Sequence, residues 1–242
     1  MKKTILFCLI LISITNLIAQ DYFPTNTELK QENNNYTAFT NAVIFITPNE
    51  IIKNGTLLIQ DGKVIESGES VTIPENTIII NLNGNYIYPS FIDPFSNYGM
   101  PKLGKSKKQQ GDGPQIESKK SGAYAWNQAL NPEVDAAKIF KTDVNTAKEL
   151  RANGFGAVLT HQQDGIIRGT STSVLTGDEN ENKMMIAGYS AAMYSFKKGS
   201  SAQDYPSSLM GAIALLRQTY YDSEWYMSVQ NEDEYNLGLD AF

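Results

Sequence analysis

Residues 38–89 break into short β-rich runs at 42–47, 56–60, 63–67, 77–82 and 86–88, each bounded by turn residues. Asp61-Gly62 separates two of these runs by a two-residue loop. Both residue types tolerate positive φ, so the pair favours a primed turn and joins its flanking runs as a hairpin. Runs this short and this closely spaced predict a small antiparallel sheet over 38–90 and leave no room there for helices.

The pattern after this sheet is different. Residues 90–98 read as an apolar strand, and 102–121 are rich in Lys, Gln, Gly and Ser, so 100–130 is expected to be an inserted loop. Lys105, Lys107 and Lys108 within it read as an exposed loop face, with anion binding as the alternative. Asn131-Pro132-Glu133 has the cap, proline and acid order of a helix start continued by 134–140. A second helix starts at Thr142, carries Val144, Ala147 and Leu150, and stops at Asn153-Gly154. The strand 155–161 follows at once, and helix then buried strand is the rhythm of a parallel α/β unit. Residues 170–176 and 184–194 read as extended or mixed segments, with the turn at 177–182 between them. Ser207 or Ser208 then caps a helix whose apolar stripe is Leu209, Ile213, Leu216 and Tyr220, widened by Met210 and Ala212. The aromatic group Tyr220, Tyr221, Trp225 and Tyr226 is expected to pack in the core.

The amino terminus bears on compartment. Lys2 and Lys3 precede an apolar stretch over 5–18 that ends at the small residue Ala19, the arrangement of a cleaved export signal over 1–19. That stretch is short of the roughly 20 apolar residues a membrane span takes, so no stable span is expected after cleavage. Residues 20–37 are polar and aperiodic and read as a tether. The one cysteine, Cys8, lies inside the leader, which excludes disulfides and thiolate metal sites from a mature periplasmic or secreted chain. Cleavage takes Lys2 and Lys3 and leaves 18 basic against 26 acidic side chains, a net charge near −8. This balance argues against a nucleic-acid partner held through phosphates.

The segment from Gly55 to Gly68, followed by Ile80 to Asp93 with its Tyr88-Pro89-Ser90-Phe91-Ile92-Asp93 run, resembles the entry of the amidohydrolase superfamily. Gly169-Thr170-Ser171-Thr172-Ser173-Val174 and Leu209 to Arg217 are similar to segments of its exported, imidazolonepropionase-like branch. The resemblance implies an α/β chain with a small N-terminal β-sandwich over 38–90, then the first strands and helices of an incomplete (β/α)8 TIM-type barrel over 91–242. A complete barrel alone takes roughly 250 residues, so the chain is expected to be a fragment of a longer product. The resemblance also implies zinc-dependent hydrolysis of C–N bonds in small amides, cyclic amides or peptides.

In that family two histidines, two residues apart on the first barrel strand, grip the metal, because alternate residues on a strand point the same way. The matching positions here are Phe95 and Asn97. A phenyl ring has no lone pair to donate, and a carboxamide oxygen is a poor substitute for imidazole on zinc. No cofactor is therefore expected in this chain. The catalytic residues stay unassigned, and His161, the only histidine, is left as a weak ligand candidate at the end of its strand. Three functions remain open: a metal-deficient hydrolase-family copy, a non-catalytic scaffold or binding domain paired with a downstream barrel segment or a second active copy, and a β-rich module recognising carbohydrate or peptide through aromatics.

Overall fold

A computed structural model describes residues 36–104, 116, 118, 127–229 and 235–242. The expected leader with Cys8, the tether before Tyr36 and the Lys105, Lys107, Lys108 cluster lie outside the described residues. The chain divides into two units, Met1–Pro89 and Ser90–Phe242.

The first unit holds β1 (Tyr36–Thr47), β2 (Glu50–Gln60), β3 (Lys63–Gly68), β4 (Ile78–Asn81) and β5 (Tyr86–Ile87). They form one sheet in the order β3-β2-β1-β4, with β5 also paired to β1. Asp61 and Gly62, at φ 50° and 74°, make the tight turn between β2 and β3, as their residue types predict. β2 begins well before the expected run at 56, because Asn54-Gly55 is not a turn. Asn54 takes φ 50° inside the strand, and Gly55 faces Ala42, where a Cβ would come within 2.8 Å of the Ile44 side chain.

The expectation of an antiparallel sheet holds for β1, β2 and β3 only. Thr37–Thr40 pair in parallel with Ile78–Asn81, and Val43 and Ile44 pair in parallel with Tyr86 and Ile87. The cause is local. Asn83 and Gly84, at φ 51° and 84°, kink the chain without reversing it, so β5 continues along β1 in the direction of β4. The kink is pinned by Gly84 N donating to Asn41 O at 2.7 Å and Val43 N to Asn85 O at 3.0 Å. Ala38, Ala42, Ile44 and Leu58 are buried. Among the described residues this unit has one sheet, and the second layer of a sandwich is not among them.

The second unit holds β6 (Phe91–Ser96), α1 (Ala136–Ile139), α2 (Val144–Ala152), β7 (Phe155–Thr160), β8 (Ile167–Leu175), α3 (Glu181–Met184), β9 (Met185–Tyr194), α4 (Leu209–Val229) and α5 (Leu237–Asp240). Its sheet runs β6-β7-β8-β9. β6 and β7 are parallel, joined by the segment that carries α1 and α2, as the helix-then-strand rhythm predicts. The repeated parallel units of a barrel do not follow, because β8 is antiparallel to β7 and β9 antiparallel to β8. The connection 161–166 is too short for anything else, since a parallel crossover takes about a dozen residues.

α1 starts later than Asn131-Pro132-Glu133 suggests. Residues 131–134 instead dock on β8, with Asn131 N donating to Ile167 O and Thr170 N to Val134 O. Asp135 is the cap, accepting from Ala137 N at 3.0 Å. Asp143 caps α2 through Asn145 N and Thr146 N, and Gly154 at φ 87° ends it as expected. Phe140 and Ala147 then pack with Tyr98, Val158, Val174 and Met184 in one buried cluster.

The face of α4 that is buried is only in part the predicted stripe, sharing Ala212 and the half-buried Leu216 with it. Ser208 caps the helix, its hydroxyl accepting from Gly211 N at 3.1 Å. The buried residues are Ala212, Leu215, Thr219 and Ser223, whereas Leu209, Met210, Ile213 and Tyr220 are exposed. Tyr221 and Trp225, expected in the core, are exposed as well. Small residues let the helix backbone approach the cluster of Ala129, Leu130, Ile166 and Ile167, and this turns the bulkier side chains outward. Among the described residues no helix is long and apolar enough to cross a membrane.

Candidate functional site

Because β6 and β7 are parallel neighbours with Ser96 facing Thr160, their carboxyl ends lie at one edge of the sheet. That edge gathers Phe95, Asn97 and His161. The His161 amide donates to Ser96 O at 3.1 Å, and the Phe95 and His161 rings meet edge to face with centroids 4.9 Å apart. Phe95 is 54% exposed and its amide is held by Asp93 Oδ1 at 3.0 Å. Asn97 is exposed at the rim.

His161 is fully buried. Its Nε2 lies 3.4 Å from Nη1 of Arg168, itself only 8% exposed, and Arg168 Nε donates to Gly165 O at 3.1 Å. A guanidinium only donates, so Nε2 accepts and the imidazole proton is assigned to Nδ1. Nδ1 has no partner among the described residues. Burial first, and the Arg168 charge second, push the imidazole down from 6.5 to about 4. His161 is therefore neutral at ordinary pH. Asp164 faces Arg168 from the same loop and is held by Ser200, whose amide and hydroxyl donate to Oδ1 and Oδ2 at 2.6 and 2.7 Å.

This donor set does not fit the zinc that the family resemblance implies. Phe95 offers no donor atom, the Nε2 lone pair of His161 is directed at a cation, and the guanidinium beside it would repel a second positive charge. Among the described residues no group of three His, Cys, Asp or Glu side chains is placed to hold a metal ion.

On the Asn97 side of the same edge opens a cavity of about 830 Å3. Its walls are the loop 97–103 after β6, residues at the start of α2, the loop 162–164 after β7, and the turn at Gly199 and Ser200. Tyr98 sits at 3% exposure in the wall, its backbone oxygen accepting from Thr160 Oγ1 at 2.7 Å. Burial pushes its phenol up, against the opposing pull of the neighbouring Asp143 amide. Thr142 Oγ1 and Gln162 Oε1, on side chains that line the cavity, are buried with no hydrogen-bond partner among the described residues.

Of the positions singled out from the sequence, Phe95, Asn97 and His161 do come together, but Phe95 and His161 form a ring pair while Asn97 turns to the cavity. Arg168, Asp164, Tyr98, Thr142 and Gln162 escaped sequence reading. One signal was available for Arg168, a lone cation in the otherwise uncharged run from Gly165 to Leu175. The polar Gln162-Gln163-Asp164 run directly after a strand was another.

Comparison with known proteins bears on the fold. The chain is similar to the crystal structure of an amidohydrolase from Thermotoga maritima MSB8, at 20% identity and a TM-score of 0.62 over 85% of this chain and 54% of that one. A second amidohydrolase is 23% identical over 26% of this chain and 15% of its own, with a TM-score of 0.24. A prolidase complexed with N-methylphosphonate-L-proline is 14% identical over 51% and 25%, with a TM-score of 0.30. These last two superpose too loosely to carry an argument. No protein-family model matches the chain, and no curated protein does. The chain thus spans about half the length of the Thermotoga maritima protein and has the fold of that half, a likeness that speaks for architecture alone.

Proposed function

We propose that this chain belongs to an exported protein of the amidohydrolase superfamily, and that its own copy of the first-strand site binds a small molecule without metal and without hydrolysing it. The observation that carries this reading is the contact of Arg168 with His161, which sets a buried cation against the one imidazole at the strand ends. Phe95 and Asn97 at the positions of the family's paired histidines support it, and so does the cavity beside Asn97. Export rests on the leader pattern over 1–19, and the acidic balance speaks against a nucleic-acid partner.

Equilibrium dialysis against zinc, followed by metal analysis, tests the reading. Less than a tenth of an equivalent of zinc is expected per chain, with no turnover of amide or dipeptide substrates. One tightly held equivalent that is lost on Asn97→Ala would overturn it. Installing both histidines, Phe95→His with Asn97→His, is expected to leave amide turnover absent, because Arg168 still occupies the Nε2 side of His161.

A second reading is favoured by the 54% coverage of the Thermotoga maritima amidohydrolase. In it the whole protein hydrolyses C–N bonds of small amides or peptides, with zinc held by residues of a downstream barrel segment or of a second copy. This chain would then be the scaffold partner. Zinc-dependent hydrolysis by the full gene product that survives Asn97→Ala would favour this second reading over the first.

A further inference from the structure

The balance of charge and hydrogen bonding in the cavity beside Asn97 identifies what it would take. Its two carboxylates, Asp143 and Asp164, are already engaged within the fold, and its two lysines, Lys102 and Lys141, are exposed to water. Both oxygens of Asp164 accept from Ser200, and Arg168 faces it. Asp143 accepts from the Thr146 amide and hydroxyl and the Asn145 amide, and these hydrogen bonds, more than the nearby Lys102, hold its carboxyl below the usual range. Lys141 lies near Glu181, whose carboxyl is lowered by hydrogen bonds to backbone amides and then by that lysine. A cationic ligand would thus find both carboxylates taken, and an anionic one would meet only exposed lysines, whose pairing in water returns little.

The unused capacity is neutral. Thr142 Oγ1, Gln162 Oε1 and the Tyr98 hydroxyl are buried without a hydrogen bond of normal geometry among the described residues, and all three side chains line the cavity. An unpaired buried polar group costs about 1–3 kcal/mol, so a ligand that satisfies several at once gains where a charged one does not. The carboxamides of Asn97 and Gln163 add donor and acceptor pairs to the wall, and Met100, Leu103 and Ile139 supply apolar surface. The volume falls within the range of about 300–1,000 Å3 usual for small-molecule sites.

We propose that this cavity binds a neutral polyhydroxylated ligand of the size of a disaccharide, held by Asn97, Thr142, Gln162 and Gln163. Each sugar hydroxyl both donates and accepts, so one ring answers the acceptor Gln162 Oε1 and the amphoteric Thr142 and Tyr98 hydroxyls together, while its C–H face lies on Met100 and Leu103. A single carboxamide ligand has at most two N–H donors and one acceptor and leaves part of this set unanswered. The inference rests on the reading of this edge as a metal-free binding site.

Isothermal titration of the full chain with maltose, cellobiose and lactose, beside glucuronate, glucosamine and N-acetylglycinamide, tests it. At least one neutral disaccharide is expected to bind at least tenfold more tightly than the charged sugars and the amide. Gln162→Leu and Thr142→Val are each expected to weaken that binding at least tenfold while keeping or raising the thermal unfolding midpoint of the free chain, since each removes an unpaired buried polar group, and Thr142→Ser to restore binding. Asn97→Ala, on the exposed rim, gives a variant that leaves the buried wall intact, and a several-fold loss is expected. Tighter binding of glucuronate, glucosamine or the amide, disaccharide binding indifferent to all these variants, or no disaccharide binding at all would overturn the inference. The two failures separate cleanly, because one equivalent of zinc with amide turnover sinks the metal-free reading whatever the sugars do. Failure of the sugars without zinc leaves that reading in place.

Discussion

The two sheets of this protein bury different kinds of side chain. In the first unit the buried side chains are Ala38, Ala42, Ile44 and Leu58, all apolar, and geometry is set by residues in left-handed conformations at Asn41, Asn54, Asp61 and Asn83. In the second, Thr160, His161, Arg168, Ser171, Thr172 and Thr176 are buried along β7 and β8 and the residues that follow them. Most of these are satisfied by backbone oxygens of the neighbouring strand, as Thr172 is by Ala187 O at 2.8 Å and Thr176 by Phe155 O at 2.8 Å. Burying polar groups costs free energy unless each finds a partner. This sheet does so repeatedly, and among the described residues it leaves His161 Nδ1, Thr142 Oγ1 and Gln162 Oε1 without partners at one edge, which is what supports the proposed binding site there. The first sheet, among the described residues, shows no such buried polar side chain.

That contrast can be broken most sharply at Gly169. It takes φ 75°, and a Cβ there would lie 2.0 Å from Val134 O. Gly169→Ala is expected to destabilise the second unit by about 3 kcal/mol or more, from left-handed strain plus overpacking. Urea unfolding measures it, and a loss below about 1 kcal/mol would mean that the 131–134 segment is not clamped against β8.

The next largest effect is a dependence on pH in the second unit. The His161 imidazole falls from 6.5 to about 4 on folding, so the unfolded chain takes up the proton first. Above about pH 6.5 neither state is protonated and there is no penalty. Stability then falls as pH drops through the interval from 6.5 to 4, and the penalty is complete below 4, at roughly 3 kcal/mol in all. Denaturant titrations at pH 7 and pH 4.5 should reveal this slope, and His161→Gln should flatten it. A slope unchanged in that variant would assign the titration to other groups.

What the sequence disclosed was what neighbouring residues decide. Asp61-Gly62 announced its turn, Asn153-Gly154 the end of α2, and the apolar run from 155 directly after that stop its strand, because each depends on φ preferences or composition within a few residues. What it concealed was decided across the chain. The runs at 77–82 and 86–88 read as members of an antiparallel sheet, yet both pair in parallel with β1. α4 carries apolar residues on more than one side, and the need for close approach to Ile166 and Ile167 selected the face with Ala212 and Thr219. At the site, Phe95, Asn97 and His161 could be named from a motif and a strand end. Arg168 meets His161 only because β8 starts beside the loop that follows β7, and Tyr98, Thr142 and Gln162 share a cavity only through the crossover that brings α2 over β7.

Two smaller substitutions sharpen the comparison. Thr160→Val replaces a fully buried hydroxyl that donates to Tyr98 O at 2.7 Å with a methyl group of similar volume, and the orphaned carbonyl should cost about 1–2 kcal/mol. Thr160→Ser keeps the donor and should recover most of the hydrogen-bond share of that loss. An equal loss in both variants would place the energy in packing and not in the polar contact.

Gly62 provides the closest control for Gly169. Its φ of 74° is nearly the same, but nothing lies within 4 Å of the position a Cβ would take. Gly62→Ala therefore isolates the backbone strain of a left-handed residue, about 1–2 kcal/mol, from the steric overlap present at Gly169. Part of that is returned because alanine restricts the unfolded chain more than glycine does, so the net loss should be close to 1 kcal/mol. Circular dichroism of both variants under the same denaturant gradient gives the difference directly. If Gly62→Ala costs as much as Gly169→Ala, the tight turn is under as much constraint as the clamped segment. The division between a scaffold sheet shaped by local conformation and a site sheet shaped by tertiary contact would then fail.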